Sequence, residues 1–89
     1  MEQNWYVYIL RCADGTLYTG ITNHLERRLK AHNAGTASKY TRVRRPVSME
    51  YNEKAESKGD ALRRELRIKA MSRQQKEFLI NANKQKSSG

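Results

Sequence analysis

The chain has 89 residues, with 18 Lys and Arg against 9 Asp and Glu and a formal charge of +9. Such a length holds one domain with a modest core, and the single cysteine, Cys12, excludes a disulfide framework or a cysteine-rich zinc site. The one apolar run of note, Trp5 to Leu10, is too short for a membrane span or a signal-peptide core, so a cytoplasmic protein with a polyanionic partner and no membrane association is expected.

Trp5 to Cys12 is dense in aromatic and β-branched residues, and Ala13-Asp14-Gly15-Thr16 supplies turn chemistry before a second strand from Leu17 to Thr22. The turn decides the register. A two-residue Asp14-Gly15 turn puts Tyr8 opposite Ile21 and sends Tyr8 and Tyr18 to different faces. A three-residue loop with Gly15 left-handed in a bulge pairs Cys12 with Thr16 and makes the two tyrosines diagonal neighbours on one face. Asn23 and Glu26 have the spacing of a capping box, and Leu25, Leu29 and His32 recur at helical spacing until Gly35, which predicts a helix over about 24–33.

From Asn33 to Pro46 there is no usable period, only Lys39, Arg42, Arg44 and Arg45 around Tyr40; irregular connections of this length in small domains are usually functional. Val47 to Tyr51 reads as a third strand, starting after Pro46. Ser57 and Asp60 then cap a helix with Leu62, Leu66 and Ala70 at four-residue spacing. Ala61, Glu65 and Ile68 form a neighbouring stripe, so Glu65 is expected at the edge of the buried face. Ser72 and Gln75 make a second capping box, which opens a helix containing Phe78, Leu79 and Ala82. Residues 83–89 are polar and expected to fray. The order β-β-α-β-α-α predicts an α+β domain over residues 1–82, a small three-stranded antiparallel sheet flanked by helices.

Tyr6-Val7-Tyr8 and Tyr18-Thr19-Gly20 resemble the two short motifs that name the GIY-YIG nuclease superfamily. Arg28, ten residues after Tyr18, His32 one turn later, and Glu65 on the helix after the third strand complete that resemblance, which covers about residues 5–82. The chain is similar to the short stand-alone bacterial members. His32-Asn33-Ala34-Gly35 and the basic run from Thr41 to Met49 are also similar to the nuclease subunit of the eukaryotic branched-DNA endonuclease. It departs from the pattern at Tyr6, where the first motif has glycine, and at Ile21, where repair-excision members carry lysine. Glu77 stands where some restriction-enzyme members have an asparagine.

The resemblance implies a metal-dependent endonuclease that hydrolyses DNA phosphodiester bonds, with DNA favoured over RNA and branched or single-stranded structures in repair or recombination as substrates. Glu65 would hold one Mg²⁺ or Mn²⁺, Arg28 would clamp the phosphate, and Tyr18 would be the general base, with Tyr8 positioning the water or phosphate. A phenol with a reference pKa of about 10 needs help to serve as a base at neutral pH, which keeps His32 as the competing base. Gly20 would let backbone or substrate approach the hairpin closely. Lys39, Tyr40, Arg42, Arg44, Arg45, Arg63, Arg64 and Arg67 would contact nucleic acid, Tyr40 by stacking on an unpaired base. Singly, these residues have ordinary explanations: sheet aromatics, a helix C-terminal histidine, a Glu65–Lys69 surface pair. Their joint order and spacing favour the site. The competing functions are a non-catalytic nucleic-acid-binding module that keeps the fold, and a subunit that needs a protein partner for targeting; the oligomeric state stays open.

Overall fold

The computed structural model describes residues 4–87, with side chains through residue 84. Among them, β1 (Trp5–Arg11), β2 (Leu17–Thr22) and β3 (Ser48–Ala55) form an antiparallel sheet in the order β2-β1-β3. The helices are α1 (Leu25–Ala34), α2 (Lys39–Arg42), α3 (Lys58–Lys69) and α4 (Arg73–Ser87). None of the described helices is long and apolar enough to cross a membrane.

Because side chains alternate along a strand, the central β1 feeds two cores. Val7 and Ile9 pack with Ala61, Ile68 and Ile80 of α3 and α4 on one face, while Tyr8, Leu10 and Cys12 pack with Val47, Leu25 and Leu29 on the α1 face. Each fully buried Val, Ile or Leu contributes about 1.5–3 kcal/mol. Cys12 is thus a small buried core residue.

The hairpin adopts the three-residue loop. Gly15 has φ +86°, Cys12 and Thr16 are bonded N–H to carbonyl at 2.8 Å, and Tyr8 pairs with Gly20 while Leu10 pairs with Tyr18. Tyr8 and Tyr18 therefore share the α1 face. The β1–β3 register shifts between Ile9 and Leu10, and β3 runs four residues past the predicted end at Tyr51. Its second half is polar because its inward position, Glu53, is satisfied by Arg64 of α3 at 3.0 Å; hydrophobic alternation could not reveal it.

The first helix is capped by His24, whose Nδ1 accepts from the Arg27 N–H at 3.2 Å, one residue beyond the expected Asn23. Ser57 caps α3 as expected, and Ser72 and Gln75 form the reciprocal box, with bonds of 3.1 and 2.9 Å. On α3, however, the buried stripe is Ala61 and Ile68, and Leu66 is 65% exposed. The sheet face already carries Trp5, Val7, Ile9 and Tyr51, so the small Ala61 lets the helix come close where a leucine would overfill the space. The segment expected to be irregular contains α2, capped by Ser38. At the other end α4 continues through Asn83 to Ser87, into the predicted tail, whose residues 88 and 89 lie outside the described residues.

Candidate active site

The site grows from the Tyr8–Gly20 pair. The Tyr8 phenol lies over Gly20 of β2: a β-carbon there would stand 2.6 Å from the Tyr8 hydroxyl oxygen. The close approach that Gly20 permits is thus made by this ring, which fills the space left open for a substrate in the sequence reading. Carried across the strand in this way, the Tyr8 hydroxyl lies 2.8 Å from Nε2 of His32, and both residues are almost sealed, at 2% and 1% exposure.

His32 is held from its other side. Its Nδ1 lies 2.8 Å from Oγ1 of Thr41, a fully buried residue of α2. Thr41 Oγ1 donates to the Ser38 carbonyl at 3.4 Å, so its lone pairs accept from the His32 Nδ1–H. That leaves Nε2 as the acceptor for the Tyr8 hydroxyl, one tautomer with a directed chain of donors. Thr41 was not among the residues singled out from the sequence; the Ser38 cap two residues before Tyr40 was the available signal for α2, and nothing local marks the threonine itself.

Tyr18 meets the His32 ring edge-on, with centroids 5.1 Å apart. The Tyr8 hydroxyl also lies in the fields of Tyr18, Arg28 and Glu65. Five predicted site residues therefore converge: Tyr8 and Tyr18 from the hairpin, Arg28 and His32 from α1, and Glu65 from α3. Burial, with Tyr18 adding to it, pushes the Tyr8 phenol well above its usual range, while Arg28 opposes the shift. Burial, and secondarily the Arg28 charge, pushes His32 down, so its neutral form prevails at neutral pH.

The Glu65 side chain is 15% exposed, and its carboxylate lies 3.5 Å from the Lys69 ammonium. Among the described residues no cluster of three or more His, Cys, Asp or Glu could cage a metal. One carboxylate, with water and substrate oxygens completing the shell, fits Mg²⁺ or Mn²⁺ in phosphate chemistry and does not fit a structural metal. The nearby Lys69 shows that the position already accommodates positive charge.

The other predicted contacts are divided. Arg44 lies over the Tyr40 ring at 3.8 Å and 3.2 Å from Asp14, and Tyr40 stacks against Tyr18 at 6.0 Å. Tyr40 thus has a guanidinium over its ring and a second ring beside it, and it stays 38% exposed. Arg45 ties its own segment together through the Arg42 and Asn33 carbonyls, Arg63 pairs with Asp60, and Arg64 is committed to Glu53 at the edge opposite β2. Lys39, Arg42 and Arg67 stand exposed. Glu77 grips Arg11 with bonds of 3.0 and 2.6 Å, a brace between α4 and the sheet.

This hairpin-helix-strand-helix frame with paired tyrosines, an arginine and a helical glutamate defines the GIY-YIG class, and the family model described as the GIY-YIG catalytic domain matches residues 4–78. The chain belongs to that family, which supports a nuclease-type function. It is similar to a UPF0213 protein of Halobacterium salinarum, 53% identical over 84% of this chain and 97% of the relative, and to one of Staphylococcus haemolyticus, 55% identical over 84% and 92%. Two solution NMR structures share the fold: a UPF0213 protein from Bacillus halodurans (44% identity, 89% of this chain and 84% of that one, TM-score 0.58) and a protein from E. faecalis (43%, 91% and 86%, TM-score 0.62).

Proposed function

We propose that this protein is a metal-dependent endonuclease that hydrolyses phosphodiester bonds in DNA, with branched or single-stranded structures met in repair or recombination as its substrates. The observation that carries this reading is the convergence of His32, Tyr18, Arg28 and Glu65 on one buried Tyr8 hydroxyl in a chain of charge +9. Arg28 forms no ion pair with a carboxylate among the described residues, which leaves its paired donors for a phosphate. Glu65 would hold the single Mg²⁺ or Mn²⁺, which when bound supplies charge stabilisation to the phosphoryl oxygens.

The proton path follows from the tautomer. A preformed Tyr8 phenolate is disfavoured, because burial raises the phenol and lowers its partner imidazole. Tyr8 instead passes a proton on. As water attacks phosphorus, its proton moves to the Tyr8 oxygen while the Tyr8 proton moves to Nε2 of His32; the bond to the leaving ester oxygen breaks, and that oxygen takes a proton from solvent. His32 is thus the net base and Tyr8 its relay, with Thr41 holding Nδ1–H throughout. Tyr18 walls the site and orients the water beside Tyr8, in place of the base role that the family resemblance implied.

The test is incubation of the purified protein with labelled branched, single-stranded and duplex DNA, and with RNA, in Mg²⁺ or EDTA. Mg²⁺-dependent cleavage that disappears in Glu65→Gln and Arg28→Ala is expected. Binding without cleavage across that panel would replace this reading with a non-catalytic binding module.

A further inference from the structure

β2 is an edge strand, and an open groove lies at each of its ends. One, of about 300 Å³, is lined by Thr22, His24, Arg27 and Arg28. The other, of about 260 Å³, is lined by Leu17, Tyr18, Tyr40, Lys69 and Lys76. Neither is lined by a carboxylate. Midway between them is Gly20, where the Tyr8 phenol crosses the strand. From Tyr18 to Thr22 the strand advances about 13 Å, at roughly 3.3 Å per residue, which is the reach of a short run of phosphates.

Resting on the nuclease reading above, we propose that one polynucleotide strand runs along the outer edge of β2, with the reacting phosphate beside Arg28 at the level of Gly20 and its two neighbouring phosphates in the flanking grooves. Arg27 takes the neighbour on one side. Lys69 and Lys76 take the neighbour on the other, while Leu17 and the edges of Tyr18 and Tyr40 meet the sugar and base of that nucleotide. The two lysines suit this task because a flexible ammonium can follow a phosphate without imposing one geometry, and the apolar floor beneath them suits a sugar face. Lys69 is already drawn towards the site by its pairing with Glu65, so a phosphate in this groove offers it a second anion within the same reach. These lysines lie on the last residue of α3 and on α4, outside the basic segments singled out from sequence.

Metal-free protein titrated in EDTA with a single-stranded oligodeoxynucleotide long enough to fill both grooves tests the path. Backbone amide resonances of both 17–19 with 69–76 and 22–28 should shift together. The combined Lys69→Gln and Lys76→Gln variant should weaken binding and flatten the salt dependence by about one unit of slope per lysine, while keeping the response at 22–28. Arg27→Gln should flatten it by about one and keep the response at 17–19. Lys54→Gln, on β3, should change neither. Unaltered salt slopes in both groove variants, or resonance shifts confined to other surfaces, would overturn the proposal. Since no metal and no cleavage enter the measurement, a protein that binds in this way yet never cuts fails the nuclease reading alone.

Discussion

A β-carbon on residue 20 would stand 2.6 Å from the Tyr8 hydroxyl and 2.8 Å from its ring carbon Cζ, so Gly20 and Tyr8 occupy one volume between them. Tyr8 is 2% exposed and bonded to His32, which leaves its ring little room to yield.

Gly20→Ala therefore forces either the phenol or the strand to move. Overpacking of this kind costs about 1–3 kcal/mol, and in a domain of this size each kcal/mol lowers Tm by roughly 4–8 °C. Thermal unfolding followed by circular dichroism should show that drop, together with loss of most cleavage activity. An unchanged Tm would mean that Tyr8 is free to leave its place.

Removing the Thr41 hydroxyl should act through His32. Thr41→Val keeps the shape but strands a buried Nδ1–H, a loss of about 1–3 kcal/mol. The ring nitrogen spectrum of His32, measured by NMR, should show Nδ1 protonated in the wild type and in Thr41→Ser, and a mixed or reversed tautomer in Thr41→Val. By analogy with removing partners that orient histidine ligands, kcat should fall about 10- to 100-fold with KM little changed. A wild-type spectrum with the proton on Nε2 would contradict the relay.

The depressed His32 pKa has a signed consequence. Unfolded His32 takes up a proton near the ordinary histidine value of about 6.5, whereas the folded ring, buried beside Arg28 and packed by Tyr8, Tyr18 and Thr41, resists protonation until lower pH. The unfolded state then binds more protons, and stability falls as pH drops through 6.5 towards the folded pKa. Tm measured from neutral to mildly acidic pH should decline in this window in the wild type, and less steeply in His32→Gln. Cleavage should fall on the acid side only at a pH below 6.5, because the base must be neutral. A decline that begins only in the carboxylate range would assign the effect to other groups.

Glu77→Gln separates brace from site. Glu77 is held below its ordinary carboxylate value, first by its hydrogen bond to Arg11, and it joins α4 to β1 rather than facing Tyr8. Its loss should cost on the order of 1 kcal/mol or less in chemical denaturation and leave the Mg²⁺ dependence of cleavage where it was. A shifted metal requirement would return Glu77 to the metal's surroundings.

Local rules carried much of this structure. Loop length together with Gly15 dictates the hairpin register, and the register alone puts Tyr8 and Tyr18 on one face. The Ser57 cap and the Ser72–Gln75 box mark where α3 and α4 begin, since an orphan N–H at a helix start needs an acceptor within a few residues. Motif order named the five residues that meet in space.

Other features were decided only when the elements packed. Two adjacent stripes of α3 were both apolar enough to bury, and the crowded sheet face chose Ala61 and Ile68 over Leu62 and Leu66, because volume between layers is a property of both surfaces. Thr41 reached His32, and Lys69 and Lys76 came to line one groove with Tyr18, across turns of chain for which no periodicity speaks. A residue's backbone preference is written in its near neighbours; which atom finally satisfies its polar groups depends on what the folded chain brings within about 3 Å of it.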